Sequence, residues 1–301
     1  MCRNAESLYY PVKQSILSAL PLVDEFVVAV GKGRAEDQTL ELLSSIDSPK
    51  LKIIETAWDL DAFPNGTVHA QQTDLAKSHC SGDWLIYLQA DEVLHEKEWK
   101  TIREGCERHH SNERIEGLLM NYYHFWGDYK HFVNAHGWYQ REIRIIRNKS
   151  EIHSWQSAQS FRVIEDFDGH SYRMKEGTRK LRVAALDAHV YHYGWVRPPG
   201  LMARKVQELD SIHSHQQNSY PKKFNYGDLD KLERFKGRHP EVMQQWIERF
   251  DWEEELFKTQ DDDMQLVHKH ERLSSRVLTM IERNLFGGRQ IATFTNYELV
   301  E

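Results

Sequence analysis

Three short apolar runs, at residues 24–30, 51–55 and 84–88, constrain this chain more than any other feature. They are rich in valine, isoleucine and leucine and too short for buried helices, so they predict strands. Segments of helical periodicity separate them. Residues 11–20 set Val12, Ile16 and Leu20 on one helical face, and a second helix is expected to open at Asp37. The Pro64-Asn65-Gly66 turn leads into a third, over about residues 68–79. Strand–helix–strand spacing of this kind builds βαβ units with parallel strands.

Ligands of such sheets bind at the carboxyl ends of the strands. That rule singles out the loop after Val30 and the segment Gln89-Ala90-Asp91-Glu92. Beyond Gly117 the pattern changes. Residues 118–123 and 142–147 predict further strands, and 180–185 with 189–192 a last strand pair. After Pro198-Pro199 the chain is expected to turn helical, over 203–214, 240–249 and 266–283. With 301 residues, the expected organisation is an α/β domain over 1–200 and a mainly helical extension over 201–301.

Composition narrows the function classes. Hydrophobic residues at 40% and charged residues at 28% are those of a folded globular chain. A net charge of -7 argues against a nucleic-acid partner. Three cysteines, Cys2, Cys80 and Cys106, without a CxxC pair, imply neither a disulfide framework nor a cysteine zinc site, and point to a cytoplasmic protein. No apolar run approaches the ~18 residues of a membrane span.

Four features could carry chemistry. The third strand delivers Asp91 and Glu92 at its carboxyl end, where oxygen ligands suit Mg²⁺ or Mn²⁺ bridging to phosphate; a polar strand end opening a solvated turn explains the same residues equally well. His189 and His192 stand three apart, on opposite faces of a strand, so only one of them could complete a site begun by Asp91. Residues 138–147 mix Trp138 and Tyr139 with Arg141, Arg144 and Arg147; arginine suits phosphate, and an amphipathic strand with a solvated basic face is the plainer account. Gly31-Lys-Gly33 is too short for a dinucleotide loop, and no GxSxG, HExxH or P-loop motif occurs.

Taken in order, the segments resemble a family 2-type glycosyltransferase of the GT-A fold, of the bacterial cell-surface polysaccharide or lipopolysaccharide-core type. Five segments carry the resemblance: Arg3-Asn-Ala-Glu6, Val23-Asp-Glu-Phe-Val-Val-Ala-Val30, Glu36-Asp-Gln-Thr39, Ala70-Gln-Gln-Thr-Asp74 and Gly82-Asp-Trp-Leu-Ile-Tyr-Leu-Gln-Ala-Asp-Glu92. His192-Tyr-Gly-Trp195, followed by Lys205, resembles a late histidine–aromatic element of related transferases. The last hundred residues or so give no specific match.

The resemblance implies a Rossmann-like mixed sheet flanked by helices, and transfer of a sugar from a nucleotide-diphospho-sugar to a saccharide or lipid-linked hydroxyl acceptor with inversion. It implies Asn4, Glu6, Gly31, Asp37, Gln72, Asp74, Gln89 and Asp91 on the nucleotide-sugar side. Trp138, Arg141, Arg144, Trp155 and Gln159 fall on the acceptor side. Asp91 and His192 would hold a divalent metal. Gly31 replaces the family's base-contacting aspartate, and Gln89 the first aspartate of its DxD motif. The catalytic base has no motif; Asp128, Asp166 and Asp168 are the carboxylates in range. The family's first strand would precede Arg3 and is expected to be truncated. Lipid-linked acceptors make peripheral contact at the inner membrane face compatible with this reading. Two alternatives stay open: a non-catalytic nucleotide- or sugar-binding protein that keeps the fold, and a sugar-phosphate nucleotidyltransferase, which would show a glycine-rich phosphate loop near the N-terminus.

Overall fold

The computed structural model describes residues 1–214, 220–258, 268–291 and 293–300. The first two apolar runs form β1 (Phe26–Gly31) and β2 (Leu51–Thr56), paired in parallel with Phe26 opposite Leu51 and Gly31 opposite Thr56. The connecting segment carries α2 (Thr39–Ser44). Helix α1 (Val12–Ala19) buries Val12 and Ile16, and Leu20 at its end is buried with them, the face its periodicity predicts; all three pack with Val28, Val30 and Leu43. Helix α3 (Thr67–Ser78) follows the predicted turn and buries Val68, Ala70 and Ala76.

The third run departs from the βαβ expectation. As β3 (Trp84–Ile86) it pairs antiparallel with β7 (Arg141–Arg147), which also runs antiparallel to β5 (Gly117–Trp126). These strands belong to a ten-stranded mixed sheet among the described residues. Its longest member is β10 (Thr178–Trp195), parallel to β5 and antiparallel to β4 (Glu92–Leu94) and to β9 (Ser160–Ile164). The strand pair expected at 180–192 is therefore one strand. A register shift against β5 between Ala185 and His189 breaks its pattern in two. The shorter strands β6 (His131–Val133), β8 (Ile152–Trp155), β11 (Glu233–Arg234) and β12 (Tyr297–Leu299) complete the sheet.

The place of the expected first strand is held by one residue. Cys2 bridges Val30 in parallel, its N–H donating to Ala29 O at 2.9 Å and its carbonyl accepting from Gly31 N at 2.8 Å. Peptide groups alternate sides along a strand. Phe26 N turns to β2, so the N–H groups of Val27 and Ala29 turn away from it, and no strand among the described residues lies against them. Phe26, Val27 and residues 84–86 are half-buried.

Helix α4 (Trp99–His109), not anticipated from the sequence, packs near β10. The C-terminal third begins with α5 (Pro199–His213), continues through the short α6 (Gln244–Ile247) and α7 (Glu253–Lys258), and reaches α8 (Leu273–Leu285). The helix expected over 240–249 divides into a 3₁₀ turn, Glu241–Met243, and α6. Of the helix expected over 266–283, Leu266 and Val267 lie outside the described residues. Tyr226, Met243, Trp246 and Trp252 share one core with Phe125, Trp126, Tyr191 and Tyr193 of the sheet. No helix among the described residues is long and apolar enough to cross a membrane.

Candidate functional site

A cavity of about 320 Å³ opens where the ends of β1 and β3 face α5. Its lining includes four main groups of residues, beside Trp58, His69, Tyr139, Arg144, Ser157 and Gln159. Cys2 and Arg3 contribute from the N-terminus, Gln89, Ala90 and Asp91 from the turn after β3, and His192 and Trp195 from the end of β10. One face of α5 supplies Met202, Lys205, Val206, Leu209 and Ile212. Of the two strand ends singled out by the sequence, the turn after β3 lines the hollow, and the end of β1 reaches it only through Trp58, which packs over Gly31.

Asp91 and Lys205 form its floor. Lys205 Nζ donates to Asp91 Oδ2 at 3.0 Å and to the Gly194 carbonyl at 2.7 Å. A Cβ on Gly194 would stand 2.4 Å from His192 Nε2 and 2.9 Å from Asp91 Oδ2, so only glycine lets this strand end approach the pair. The ammonium also lies 4.8 Å from the centre of the Tyr10 ring. Burial pushes the Asp91 carboxyl up, but the charge and hydrogen bond of Lys205, together with His192 and Arg197, outweigh it and hold the group well below the usual carboxylate range. Burial and the nearby Arg197 guanidinium bring Lys205 down to about 8.

Arg197 is 0% exposed, and none of its three side-chain nitrogens finds an acceptor among the described residues. Its guanidinium lies 4.5 Å from the Tyr10 ring centre. Two buried cations therefore stand around one carboxylate. The next buried arginine does not alter this balance, because Arg144 is neutralised by Glu92 through two bonds of 2.9 Å. An unbalanced buried charge costs several kcal/mol (order of magnitude) unless something pairs with it.

The histidines add an acceptor. His124 Nε2 lies 2.8 Å from the Tyr139 carbonyl oxygen and must donate there. Its Nδ1 then accepts from His192 Nδ1 at 3.0 Å. His192 Nε2 is left with a free lone pair at the cavity wall, 3.7 Å from Asp91 Oδ1. Burial depresses both rings, His124 to about 3 and His192 to about 4, so both are neutral at neutral pH.

At the β1 end, Trp58 packs over Gly31, where a Cβ would come within 2.2 Å of the indole Nε1. That Nε1 is buried and finds no acceptor among the described residues. The glycine that replaces an aspartate in the resemblance makes room for an indole. Asn4, in a left-handed conformation with φ 52°, accepts from Arg34 N at 2.8 Å and donates to Glu208 Oε1 at 2.5 Å. Glu208 itself lines the cavity.

The residues expected at the site divide sharply. Gln89, Asp91, His192, Arg144 and Gln159 line the cavity, and Gly31 and Asn4 border it through Trp58 and Glu208. The others lie elsewhere. Glu6 is exposed and reaches Thr39 only through its backbone. Asp37 caps the start of α2, accepting from Thr39 N and Ser7 N. Gln72 accepts from Thr56 at the end of β2. Asp74 holds His153 at 2.8 Å beside a separate hollow formed with Lys77, Phe167 and Tyr172.

On the expected acceptor side, Trp138 joins the aromatic core beside Trp126 and Trp195, Arg141 is exposed, and Trp155 is buried against Arg162. None of the three expected carboxylate bases faces the cavity. Asp128 closes a turn onto His131, Asp168 closes one onto Ser171, and Asp166 is exposed.

The donor set at Asp91 does not fit Mg²⁺ or Mn²⁺. The Asp91 carboxylate is already held by an ammonium, and Gln89 turns its amide nitrogen to the Ala158 carbonyl. Glu92 engages both oxygens with Arg144, Tyr122 and the Gln89 N–H. Among the described residues no three His, Cys, Asp or Glu side chains gather where an ion could sit.

Residue-by-residue reading missed Trp58, Tyr10, Arg197 and Glu208. Periodicity could have found the α5 contribution, since Met202, Lys205, Val206, Leu209 and Ile212 recur at helical spacing on one face.

No family model and no curated protein matches the chain. Among solved structures it is similar to S. aureus TarS, at 14% identity and a TM-score of 0.39 over 70% of this chain and 38% of that one. A second match is TarS 1–349, at 12% identity and a TM-score of 0.33 over 67% of this chain and 62% of that one. A third is TarS 1–349 in complex with UDP-GlcNAc, at 14% identity and a TM-score of 0.35 over 70% and 64%. The chain spans less than two thirds of each. These scores lie below those of a shared fold, so the functional reading is carried by the residues of the cavity.

Proposed function

We propose that this chain transfers a sugar from a nucleoside-diphospho-sugar to a hydroxyl acceptor, on a GT-A-like α/β scaffold, with lysine in the place of a metal. The observation that carries the reading is the buried Asp91–Lys205 pair lining the cavity, with the buried Arg197 guanidinium, which does not itself line the cavity, as a second cation acting on Asp91. A diphosphate is the anion that a cleft at the carboxyl ends of β-strands commonly receives. The indole of Trp58, which lines the cavity, offers a flat face for a base.

In the proposed step an acceptor oxygen attacks the anomeric carbon as the bond to the diphosphate breaks, which inverts the centre. The hydroxyl proton passes to His192 Nε2, and the electron pair leaves on the diphosphate. The Lys205 ammonium, with Arg197 behind it, neutralises that developing charge at a preorganised site. Asp91 fixes the ammonium.

A second reading, binding of a nucleotide or sugar without turnover, is favoured by one fact: the carboxylates at the cavity, Asp91 and Glu208, are both already engaged. Thermal melting with UDP, GDP, CMP and TDP in the presence of a chelator separates the outcomes. One nucleotide should raise the melting temperature, and its diphospho-sugar should then be consumed when a hydroxyl acceptor is supplied. Binding without consumption would select the second reading. No shift with any nucleotide would defeat the transferase reading and leave the second only for a sugar.

A further inference from the structure

Helix α8 is built inside out. Its enclosed face is polar: Ser275 is 7% and Glu282 is 2% exposed. Thr279 Oγ1 accepts from His136 N at 2.8 Å, and Glu282 Oε1 accepts from His136 Nδ1 at 2.7 Å and from Ile291 N at 2.9 Å. Its open face is apolar: Leu273 is 75%, Val277 42%, Met280 57% and Leu285 74% exposed, and Phe286 follows at 49%. The i, i+4, i+7 spacing of Leu273, Val277 and Met280 makes one stripe along the axis. Of the nine large exposed hydrophobics among the described residues, eight lie between Leu273 and Val300. Scattered exposed apolar residues are ordinary, but a concentrated patch marks a binding surface.

Charge identifies what the stripe faces. Residues 272–289 hold four arginines and one carboxylate, and that carboxylate is the buried Glu282. Arg272, Arg276, Arg283 and Arg289 are exposed, with Arg276 and Arg283 on one flank of the stripe. The whole chain carries a net charge of -7, so this helix is a basic strip on an acidic body. An apolar stripe flanked by arginine is the pattern of a helix lying in the headgroup layer of an anionic bilayer.

A second copy of the chain suits this face poorly, because pairing it with itself would set arginines against arginines. The face is also small. A helix of 13 residues is about 20 Å long and about 10 Å wide, far short of the roughly 800 Å² per partner of a stable interface.

We infer that α8 is a membrane-surface helix that docks this protein on anionic lipid, with Leu273, Val277 and Met280 among the acyl chains and Arg272, Arg276 and Arg289 at the headgroups, Arg283 being paired with Glu233. The inference does not depend on the chemistry of the cavity. The -7 charge of the whole is repelled by the same lipid, so α8 would also set the orientation of the bound protein.

The test is co-sedimentation of the full chain with vesicles of phosphatidylcholine alone and of phosphatidylcholine mixed equally with phosphatidylglycerol. Binding to the mixed vesicles, weakened by salt and much lower on phosphatidylcholine alone, is expected. Arg272→Gln and Arg276→Gln should each weaken it about fivefold. Val277→Asp with Met280→Asp should abolish it while leaving the melting temperature unchanged, because both side chains are exposed. Absence of binding to mixed vesicles, or binding that survives the two aspartates, would overturn the inference. So would a concentration-dependent dimer in sedimentation velocity that the two aspartates dissolve, which would give the face to a second copy.

Discussion

Asp91 and Glu92 are adjacent carboxylates at the end of one strand, yet the fold uses them in opposite ways. Glu92 is 0% exposed, and every bond it makes closes inward: two to Arg144 and one each to Tyr122 and the Gln89 N–H. Asp91 sits one residue earlier, in the turn, and shares with Lys205 a wall of the cavity. One ion pair is complete within itself and ties β4 to β7. The other stands beside an unpartnered arginine and is open on the side a ligand would approach. A pair of acidic residues after an apolar strand is thus not one signal but two. What separates them is whether the cation beside each is already satisfied.

The sharpest way to break the comparison is to remove each cation in turn. Arg144→Leu leaves the Glu92 charge buried with only Tyr122 and the Gln89 N–H and should destabilise the chain by about 3–5 kcal/mol, read as a large fall in the denaturant midpoint. A midpoint close to the parent's would mean that Glu92 escapes to water or is protonated. Lys205→Met should behave differently. Arg197 remains near Asp91, so stability should fall less, while turnover should drop about 10²–10³-fold, as for loss of one preorganised charge-stabilising group. Equal losses of stability in the two variants, with turnover retained in Lys205→Met, would erase the distinction between them.

A third buried carboxylate gives the smallest effect and calibrates the other two. Glu116 takes hydrogen bonds from Arg179 and Arg182. Burial pushes its carboxyl up, but those bonds outweigh burial and hold it at about 2, against an ordinary 4.5. A carboxylate depressed in this way contributes stability that is complete above about pH 4.5 and is lost as the pH falls through about 2. Both arginines are more than a third exposed, which screens the pair. Glu116→Gln should therefore flatten the stability curve in that window by only on the order of 1 kcal/mol. An unchanged slope would show that the arginines hold Glu116 no better than water does.

Much of the first half was legible because its periodicity is local. The apolar faces of α1 and α3 and the valine-rich β1 follow from residues a few positions apart. Gln89 and Asp91 could be singled out as a strand end and His192 by its spacing from His189, and all three line one cavity. The fate of Glu92 could not, since Arg144 lies 52 residues away and reaches it only across the sheet. Lys205, 114 residues from Asp91, likewise becomes its partner only when α5 folds back over the strand ends. The antiparallel pairing of β3 was hidden for a similar reason. An apolar run of that length fits either direction of neighbour, and the neighbour, β7, comes more than fifty residues later. Asp37 and Asp74 match a sequence pattern, but their oxygens are occupied by a helix start and by His153.

The central claim is that an ammonium stands where a metal would otherwise neutralise a diphosphate. Titration calorimetry of the nucleoside diphosphate that stabilises the chain, once with a chelator and once with Mn²⁺, tests it most directly. The account predicts the same dissociation constant in both, and a loss of affinity in Lys205→Met that Mn²⁺ does not restore. Binding that appears only with Mn²⁺, or that Lys205→Met leaves unchanged, would contradict it.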